Sequence, residues 1–304
     1  MHFLVTGGTG FIGRPLVEKL LARGDQITLL TRDFEKAKKM FTGPVNLIGA
    51  IEDSGLEVDG VINLAGAPII DKRWTNKRKQ VLKQSRIGIT NDIIAWLKKC
   101  DKKPECLISG SAIGYYGNYP EATRLDEKAR PRQCFASELC REWESTAQQA
   151  ETLGLRVCRV RTGVVLAKHG GALKRMLLPF SLGLGGRIAS GNQWFSWIHL
   201  DDMVALLLFL IDNKSIEGAV NATAPYPVNN AYFSRVLAKM LKRPMLMPMP
   251  AVIAVVLFGE ASELLLEGQQ VVPKKLLDSG FDFRYPRLNN ALESMLRTKP
   301  SSRP

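Results

Sequence analysis

The sequence is poor in the residues that build metal sites, disulfide frameworks and membrane spans. Its 304 residues include three histidines and five cysteines, and no two cysteines have Cys-x-x-Cys spacing. This pattern predicts no metal site and no disulfide framework. The longest apolar runs, residues 204–211 and 251–258, are too short to cross a bilayer. Because the chain begins with a strand-like segment rather than a signal peptide, we expect a cytoplasmic protein with no membrane partner.

Acidic residues are also scarce relative to basic ones, since 29 Asp and Glu face 42 Lys and Arg, a formal net charge of +13. A strongly basic protein can bind nucleic acid, but here the basic residues are scattered and accompany no nucleic-acid motif. We therefore predict no nucleic-acid partner. The excess charge indicates either a basic surface or a basic surrounding for a phosphorylated ligand. The composition is that of a soluble enzyme, and a homodimer is compatible with it.

The first thirteen residues contain the most informative motif. An apolar run leads into Gly7-x-x-Gly10-x-x-Gly13, and an amphipathic stretch follows at once. This order predicts a strand, a tight turn and a helix. Glycine lets the backbone turn sharply and approach a pyrophosphate, and the helix N-terminus stabilises the negative charge. The motif therefore predicts a bound dinucleotide.

Short apolar segments alternate with amphipathic ones through the first half of the chain. The predicted strands cover residues 3–6, 26–31, 45–48, 59–64, 105–109 and 155–159. The predicted helices cover residues 11–21, 33–40, 75–99 and 135–153. This alternation predicts right-handed crossovers and hence an α/β fold, a Rossmann-type doubly wound parallel sheet.

The alternation loosens near residue 165, where glycines become frequent. We therefore predict a dinucleotide-binding domain over residues 1–165 and a smaller C-terminal α+β lobe over residues 166–304. Residues 200–225 are expected to return to the first domain, and residues 245–304 to form an extension. Further helices are predicted over residues 201–211, 229–241 and 288–296. The substrate is expected in the cleft between the two lobes.

The end of the second predicted strand discriminates between NAD and NADP. A carboxylate there would bind the ribose 2′-hydroxyl of NAD and repel the 2′-phosphate of NADP. The strand ends instead with Thr31 and Arg32, a hydroxyl and a guanidinium that can hold a phosphate. NADP is therefore favoured over NAD. Asp33 follows directly and is either a competing carboxylate or the N-cap of the next helix, and Arg32 is alternatively an ordinary surface charge.

Further motifs follow the glycine turn in a fixed order: residues 63–66 (NLAG), 109–117 (SGSAIGYYG) and 197–202 (WIHLDD). Together they resemble the extended and atypical short-chain dehydrogenase/reductases, the nucleotide-sugar epimerase group. One branch is especially similar, the epimerase-like family with a C-terminal domain of unknown function. The residues similar to that branch are 73–74, 85–86, 161–166, 170–172 and 264–286.

This resemblance implies NADP as the cofactor and a role for each matching residue. The pyrophosphate would be held by Gly7, Thr9, Gly10, Phe11, Ile12 and Gly13. The 2′-phosphate would be held by Thr31 and Arg32. The adenosine side would be lined by Leu64, Ala65 and Gly66. Arg86 would point back at the cofactor, and Val165 would lie near the nicotinamide. Judged from the residues alone, Leu64, Ala65 and Val165 are also compatible with core strand positions, and Arg86 with a solvated helix charge.

The catalytic pattern of the superfamily is broken in this chain. Its working members carry a tyrosine and, four residues later on the same helix face, a lysine that lowers the tyrosine pKa together with the cofactor ribose. The matching positions here are Phe135 and Leu139. Phenylalanine has no proton to give, and leucine can neither bind the ribose nor shift a pKa. Proton chemistry at this site therefore needs another group.

Three sets of residues are candidates for that group. Ser111 matches the superfamily's serine, and Tyr115 and Tyr116 follow it on a loop where ligands bind in such sheets. Either tyrosine is a candidate acid, or ordinary lining of a pocket. On the substrate side, His199 beside Trp197 is a further titratable group, or a structural link between a strand and the helix that starts near residue 201.

Two functions are consistent with these residues. The first is an NADP-dependent epimerase-like oxidoreductase acting on a small polar substrate such as a nucleotide sugar, without the Tyr-x-x-x-Lys pair. The second is a non-catalytic NADP(H)-binding sensor or regulator. The resemblance supports the second to some extent, because bacterial relatives often carry a cell-division-inhibitor label and a plant relative is associated with plastid division. Hydride exchange with a carbonyl or hydroxyl compound would distinguish the enzyme from the sensor.

Overall fold

Short apolar segments form the strands and amphipathic ones the helices of the protein. The computed structural model describes residues 1–51, 56–119, 123–245 and 247–296. The strands are β1 (His2–Thr6), β2 (Gln26–Leu30), β3 (Val45–Ile48), β4 (Gly60–Asn63), β5 (Cys106–Ala112), β6 (Arg124–Leu125), β7 (Arg156–Thr162), β8 (Val164–Ala167), β9 (Trp194–Phe195), β10 (Trp197–His199), β11 (Gly218–Ala222), β12 (Val228–Asn229) and β13 (Gln270–Val271). The α-helices are α1 (Gly13–Ala22), α2 (Phe34–Met40), α3 (Asn76–Lys83), α4 (Ile89–Lys99), α5 (Phe135–Gln148), α6 (Gly171–Ser181), α7 (Leu200–Asp212), α8 (Asn230–Met240), α9 (Ala251–Phe258), α10 (Glu263–Leu266), α11 (Lys274–Asp278) and α12 (Leu288–Leu296).

Seven strands form one central sheet in the order β3-β2-β1-β4-β5-β7-β11, and every neighbouring pair is parallel. The chain runs outward from β1 in one direction through β2 and β3, and then in the other direction from β4. The order therefore reverses between β1 and β4, which is where ligands bind in open α/β sheets. The Rossmann-type doubly wound sheet predicted from the sequence is confirmed.

Both faces of the sheet are covered, which explains why its strands are rich in buried apolar residues. On one face α1 and α7 pack with the sheet in a single buried cluster that includes Leu16, Leu20 and Leu207. On the other face α4 and α5 contribute Ile93, Leu97 and Ala147 to a second cluster. These helices hold the strands in register, so that the loops at the carboxyl edge start from fixed positions.

The helix predicted over residues 75–99 is interrupted by a π-helical turn over Gln84–Gly88, which lies between α3 and α4. Hydrophobic periodicity does not reveal such a turn, because one extra residue in a single turn hardly disturbs an amphipathic pattern. The predicted ends of β5 and β7 were also too early, since β5 extends to Ala112 and β7 to Thr162. These added residues include serine, glycine and arginine, and pairing between the two strands overrides their weak strand preference.

Beyond β7 the chain builds a smaller lobe and also returns to the sheet. β11 pairs with β7 at the sheet edge. The lobe contains two-stranded pairs, β8 with β10 and β9 with β12, packed with α6, α8 and α12 around a core that includes Trp197 and Phe233. Residues 247–296, here called the C-terminal extension, contain α9 to α12. In the described ranges no helix is both long and apolar enough to cross a membrane.

Candidate functional site

The glycine turn lies between β1 and α1, at the carboxyl edge of the central strand. Gly7 has φ of +70°, and a Cβ atom there would lie 2.5 Å from the carbonyl oxygen of Leu64. A Cβ atom on Gly13 would lie 2.2 Å from the carbonyl oxygen of Gly7. Any side chain at these two positions would collide with backbone atoms, so the turn requires glycine. Gly10 closes the turn by donating its N–H to Gly7 O at 2.9 Å.

The start of α1 is open to an anion. In the described part of the chain the N–H groups of Phe11 and Ile12 donate to no backbone carbonyl. Ile12, the N-cap, forms no side-chain capping hydrogen bond, and the first turn contains no acidic residue. A helix start that lacks capping, at the carboxyl edge of a parallel sheet, presents free N–H groups and the positive end of the helix dipole.

Phe11 connects this turn to the second lobe. A Cβ atom on Gly170 would lie 2.3 Å from Phe11 Cε2, and one on Gly171 would lie 2.7 Å from Cε1. The aromatic ring therefore packs against the backbone that leads into α6. Val165 lies nearby on β8, where it is buried and pairs with Ile198 of β10. Thr9 is half-buried in the turn, and Gly10 is exposed.

The end of β2 resolves the two interpretations of Asp33. Its Oδ1 accepts a hydrogen bond from the backbone N–H of Lys36 at 3.0 Å, so Asp33 is the N-cap of α2. Thr31 is buried, and its Oγ1 accepts from the N–H of Asp33 at 3.2 Å. Arg32 is exposed and forms no hydrogen bond or ion pair with any residue in the described ranges. A free guanidinium therefore stands at the edge where the 2′-phosphate was predicted.

Arg86 lies on the other side of β1 from Arg32, beside the loop that follows β4. Its guanidinium packs against Gly66, where a Cβ atom would lie 3.2 Å from Cζ, and Nη2 donates to Ala67 O at 3.0 Å. The interpretation of Arg86 as a solvated helix charge is therefore wrong. Burial lowers the pKa of Arg86, and no carboxylate of the described chain forms an ion pair with it. Leu64 and Ala65 are half-buried in the same loop, and Gly66 is exposed.

A hydrogen-bond network that the sequence did not reveal fixes the turn that carries Arg86. Thr90 Oγ1 donates to the carbonyl oxygen of Arg86 at 2.7 Å. The same hydroxyl oxygen accepts from Asn63 Nδ2 at 2.9 Å and from Trp143 Nε1 at 3.1 Å. Thr6 completes the network by donating to Asn63 Oδ1 at 2.6 Å. The Arg86 carbonyl thus accepts from Thr90 Oγ1 as well as from the backbone N–H of Ile89, which ties the end of the π-helical turn to the sheet.

Ser111 is engaged elsewhere. Its hydroxyl donates to Glu144 Oε1 at 2.7 Å, inside the protein. Arg161 holds the same carboxylate with two hydrogen bonds, from Nε at 2.8 Å and from Nη2 at 2.9 Å. Burial alone would lower the pKa of Arg161, but the hydrogen bonds to Glu144 and the charge of its carboxylate raise that pKa overall. Because the Ser111 hydroxyl donates its one hydrogen bond to Glu144, it has no further donor with which to orient a carbonyl. Sequence reasoning missed this buried ion pair.

Tyr116 is an unsuitable proton donor. The side chain is fully buried. Its hydroxyl donates to Asn221 Oδ1 at 2.6 Å and accepts from Arg161 Nη1 at 3.0 Å. Burial raises the pKa of Tyr116 to about 12, although Arg161 opposes that change. The structure therefore corrects its assignment as a candidate acid. Tyr115 is half-buried, and the Arg161 guanidinium lies 3.4 Å from its ring centre, which fits the description as lining.

Phe135 and Leu139 lie in an apolar cluster at the start of α5. Phe135 packs edge-on against Trp74 with ring centres 4.8 Å apart. Leu139 is 1% exposed and shares the cluster with Leu82 and with Ala261 of the C-terminal extension. The position predicted to match the superfamily's lysine is therefore occupied by a buried leucine with apolar neighbours.

His199 and Trp197 have structural surroundings. His199 Nδ1 accepts from the N–H of Asp201 at 2.9 Å, which makes the ring the N-cap of α7. The ring also stacks on Tyr285, with ring centres 4.0 Å apart. Burial lowers the pKa of His199. Trp197 is fully buried in the core of the second lobe. These contacts agree with the alternative prediction, in which His199 links a strand to the following helix. They do not agree with the prediction that His199 lies on the substrate side.

Two further features bear on what the site holds. Within the described ranges no three His, Cys, Asp or Glu side chains come together as a metal site would require. A cavity of about 590 Å³ lies between the C-terminal extension and earlier parts of the chain, and its lining includes Tyr226, Phe281 and Arg287. None of the glycine-turn residues lines this cavity, so it is separate from the candidate anion-binding edge of the sheet.

The fold and the glycine turn agree with comparisons to known proteins. Residues 3–222 match the family model described as the NAD dependent epimerase/dehydratase family, and residues 249–295 match a domain of unknown function. The chain belongs to the NAD dependent epimerase/dehydratase family. A chloroplastic epimerase family protein, the SDR39U1 homolog of Arabidopsis thaliana, is 39% identical over 98% of this chain and 87% of its own length.

Two solved structures extend this family relationship. The human epimerase family protein SDR39U1 (isoform 2), solved with NADPH, is 34% identical, with a TM-score of 0.88 over 97% of this chain and 99% of its own. A nucleoside-diphosphate sugar epimerase from Corynebacterium glutamicum is 30% identical, with a TM-score of 0.77 over 97% of this chain and 58% of its own. The similarity to both structures includes the C-terminal extension, which a Rossmann domain alone would not require.

Proposed function

We propose that this family member binds NADP(H) and acts as an oxidoreductase of the epimerase type on a small polar substrate, with a nucleotide sugar as the favoured class. The observation that carries the proposal is the arrangement at one edge of the sheet. A glycine turn and an uncapped helix start lie between two guanidinium groups, those of Arg32 and Arg86, which have no carboxylate partner among the described residues.

The residues at this edge fit a dinucleotide. The missing Cβ atoms of Gly7 and Gly13 let the backbone turn tightly, and the free N–H groups of Phe11 and Ile12 suit a pyrophosphate. A buried guanidinium such as that of Arg86 is costly without a countercharge, and an anionic ligand would supply one. When bound, the cofactor would supply hydride chemistry, and these residues would position it. Leu64, Ala65, Gly66 and Val165 would contact its other parts.

The preference for NADP over NAD rests on β2. With Asp33 engaged as a helix cap, the edge beyond β2 offers the hydroxyl of Thr31 and the guanidinium of Arg32. A guanidinium can hold a phosphate through two parallel hydrogen bonds. The human relative solved with NADPH supports this preference, and the sugar epimerase supports the substrate class.

The second candidate function, a sensor of the NADP redox state, is favoured by one observation. Phe135 and Leu139, which the resemblance matches to the superfamily's tyrosine and lysine, lie in a packed apolar cluster that offers neither a proton donor nor a charge. For either function we propose a cytoplasmic protein, monomeric or homodimeric, without nucleic-acid or membrane partners. The five free thiols suit a reducing compartment.

Identification of the native ligand tests the proposal directly. The purified protein would be denatured and the released small molecules identified by mass spectrometry. NADP or NADPH is the expected result, and titration of the emptied protein should show tighter binding of NADP than of NAD. Release of a different ligand and no binding of either nucleotide would reject the proposal. Tight binding without hydride exchange across nucleotide sugars and other hydroxyl or carbonyl compounds would favour the sensor.

A further inference from the structure

The first helix of the C-terminal extension is apolar on every side. α9 has the sequence AVIAVVLF, yet Ala254 is its one buried residue. Five of its side chains are about half exposed or more: Val252, Ile253, Val255, Val256 and Leu257. A helix without a polar face is normally buried on all sides. The described chain therefore leaves most of α9 uncovered.

A second set of exposed apolar side chains lies at the end of α6 and next to α9. Leu178 is 67% exposed, and Leu182, one turn later, is 64% exposed. Leu184 follows them, and Met247 lies on the segment that leads into α9. Exposed leucines are ordinary when they are scattered singly, whereas a contiguous group marks an interaction surface.

Backbone contacts hold the end of α6 beside the start of α9. Met249 donates its N–H to Arg187 O at 2.9 Å, and its carbonyl oxygen accepts from the N–H of Ala189 at 2.8 Å. A Cβ atom on Gly186 would collide with the carbonyl oxygen of Met247. The segment that follows α6 and the segment that precedes α9 therefore run side by side.

The loop over residues 71–73 joins the two helices a second time. Arg73 donates to the carbonyl oxygens of Val256 and Leu257, at the end of α9. Asp71 forms an ion pair with Arg175 of α6. The exposed apolar side chains of α6, α9 and the segments between them thus belong to one surface, here called the apolar face.

The apolar face is large enough for a stable protein interface. With roughly 100 Å² exposed on each of its nine side chains, it presents on the order of 900 Å², against the ~800 Å² per partner that a standard interface buries. The largest apolar patch of a typical monomer covers only about 300–600 Å².

The centre of the apolar face suits contact with a copy of itself. In a two-fold contact between identical chains, residues near the axis meet their own copies, so a charged residue there would face a like charge. Residues 176–186 and 244–259 contain no charged side chain. We propose that the apolar face is the interface between two copies of this chain, related by a two-fold axis.

The charges that flank the apolar face predict how salt affects this dimer. Lys174, Arg187, Lys242 and Arg243 are exposed, and residues 152–200 and 218–259 contain no Asp or Glu. The two basic rims repel each other in a dimer, although exposed charges contribute little beside the burial of apolar surface. Because salt screens this repulsion, dimerisation should strengthen with ionic strength. Docking of the same face onto an anionic surface would weaken instead.

Sedimentation velocity of the full chain tests the proposal without NADP(H), so its outcome is separate from that of the proposed function. Interfaces of this size have Kd values from picomolar to micromolar, so a dimer should form at chain concentrations well below about 100 μM. Its Kd should fall as NaCl rises from about 50 mM to about 500 mM. A monomer over the whole range of concentration and salt would overturn the proposal.

Lysine substitutions locate the interface. Val252→Lys/Val256→Lys places two ammonium groups per chain, one turn apart, where the partner would bury them, and should raise the dimer Kd by about 100-fold or more. Both positions are exposed in the single chain, so the fold should be retained, which circular dichroism checks. Leu277→Lys, at an exposed position of α11 beside the edge strand β11, is the matched control and should leave the Kd unchanged.

Leu178→Lys on α6 tests the other half of the apolar face and serves if the α9 variant does not fold. It should also weaken the dimer, by about tenfold or more. A dimer that tolerates the substitutions on both helices would use another surface and would overturn the proposal. A monomer that sediments with vesicles of phosphatidylglycerol and phosphatidylcholine, less strongly as salt rises, would assign the apolar face to a lipid surface and overturn it as well.

Discussion

Leu139 of α5 and Ala261 of the C-terminal extension are packed in one buried apolar cluster. Leu139 is the residue that the sequence analysis matched to the superfamily's lysine, and Ala261 belongs to the C-terminal extension. Side chains of α5 and of the extension therefore fill the same volume. Restoring the lysine would insert a charge into a volume that another part of the chain already fills.

The substitution Leu139→Lys should therefore destabilise the fold rather than repair a catalytic site. Burying an ammonium group without a partner should lower the free energy of unfolding by ~3 kcal/mol or more. Urea denaturation measures the effect. Ser145→Lys, at an exposed position on the same helix, serves as the control and should change stability by no more than ~0.5 kcal/mol. Equal stability of Leu139→Lys and the wild type would show that the cluster opens easily.

Arg32 should determine the preference for the 2′-phosphate. Arg32→Ala should weaken NADP binding by ~1.5–3 kcal/mol, because a charge-assisted pair of hydrogen bonds is lost. NAD lacks that phosphate, so its affinity should hardly change. Calorimetric titration with both nucleotides measures this, and Lys36→Ala on the exposed side of α2 is the control. An equal loss for both nucleotides would refute the assignment.

Gly10 should be essential for binding but not for folding. A Cβ atom at this position would lie 2.9 Å from Gly7 O, and a branched side chain would extend into the space in front of α1. Gly10→Val should therefore abolish binding of NADP and of NAD. The free energy of unfolding without ligand should fall by less than ~2 kcal/mol, because Gly10 is exposed. Normal NADP binding by this variant would mean that the turn does not hold the pyrophosphate.

The buried pair of Glu144 and Arg161 should matter more for stability than any surface pair. Glu144→Gln leaves the Arg161 guanidinium buried without a countercharge, which should cost ~3 kcal/mol or more. Glu142 lies on the same helix as Glu144 and forms an exposed ion pair with Lys83 of α3. Glu142→Gln removes this pair and should lower the free energy of unfolding by less than ~1 kcal/mol. Denaturant unfolding of both variants provides the comparison. Similar costs for the two would show that water reaches Arg161.

His199 should make stability depend on pH in a defined direction. Burial lowers its folded-state pKa below the unfolded value of about 6.5, so the unfolded state binds more protons between the two values. The contribution of His199 to stability is then present in full above about pH 7 and is lost as pH falls below the unfolded pKa and through the lower folded-state pKa. His199→Asn keeps an acceptor for the N–H of Asp201 and removes the titration.

Denaturant unfolding between about pH 7 and pH 5 should therefore show a steeper loss for the wild type than for His199→Asn. The difference in slope is at most ~1.4 kcal/mol per pH unit, the effect of one proton. The carboxyl groups of Asp202 and Glu127 are present in both proteins, so their contributions cancel in the comparison. Equal slopes would assign the pH dependence to other groups.

Much of the fold was predictable because it rests on local patterns. The glycine turn, the strand at residues 45–48, the cap at Asp33 and the last helix over residues 288–296 all follow from spacing and from the properties of single residues. These patterns are formed by residues that are close together in the sequence, so they can be identified without the folded structure. The same holds for the position of the glycine turn, which a single motif places at the end of β1.

The chemical environment of the site was less predictable because it depends on contacts between distant segments. From the sequence Ser111 was a reasonable donor, but in the structure its hydroxyl donates to Glu144. Tyr116 was a reasonable acid, but its hydroxyl is hydrogen-bonded to Asn221 and Arg161. Hydrophobic periodicity describes what each segment buries, but it does not describe which polar groups meet inside.

The position of β11 has a consequence for how the protein can be made. This edge strand consists of residues 218–222, so a nascent chain on the ribosome cannot complete the central sheet until most of the polypeptide has emerged. Until then the pairing edge of β7 is bare, and a bare strand edge invites association with other chains. A gene fragment that stops near residue 165 would leave that edge uncovered permanently. A complete central sheet therefore requires both halves of the chain.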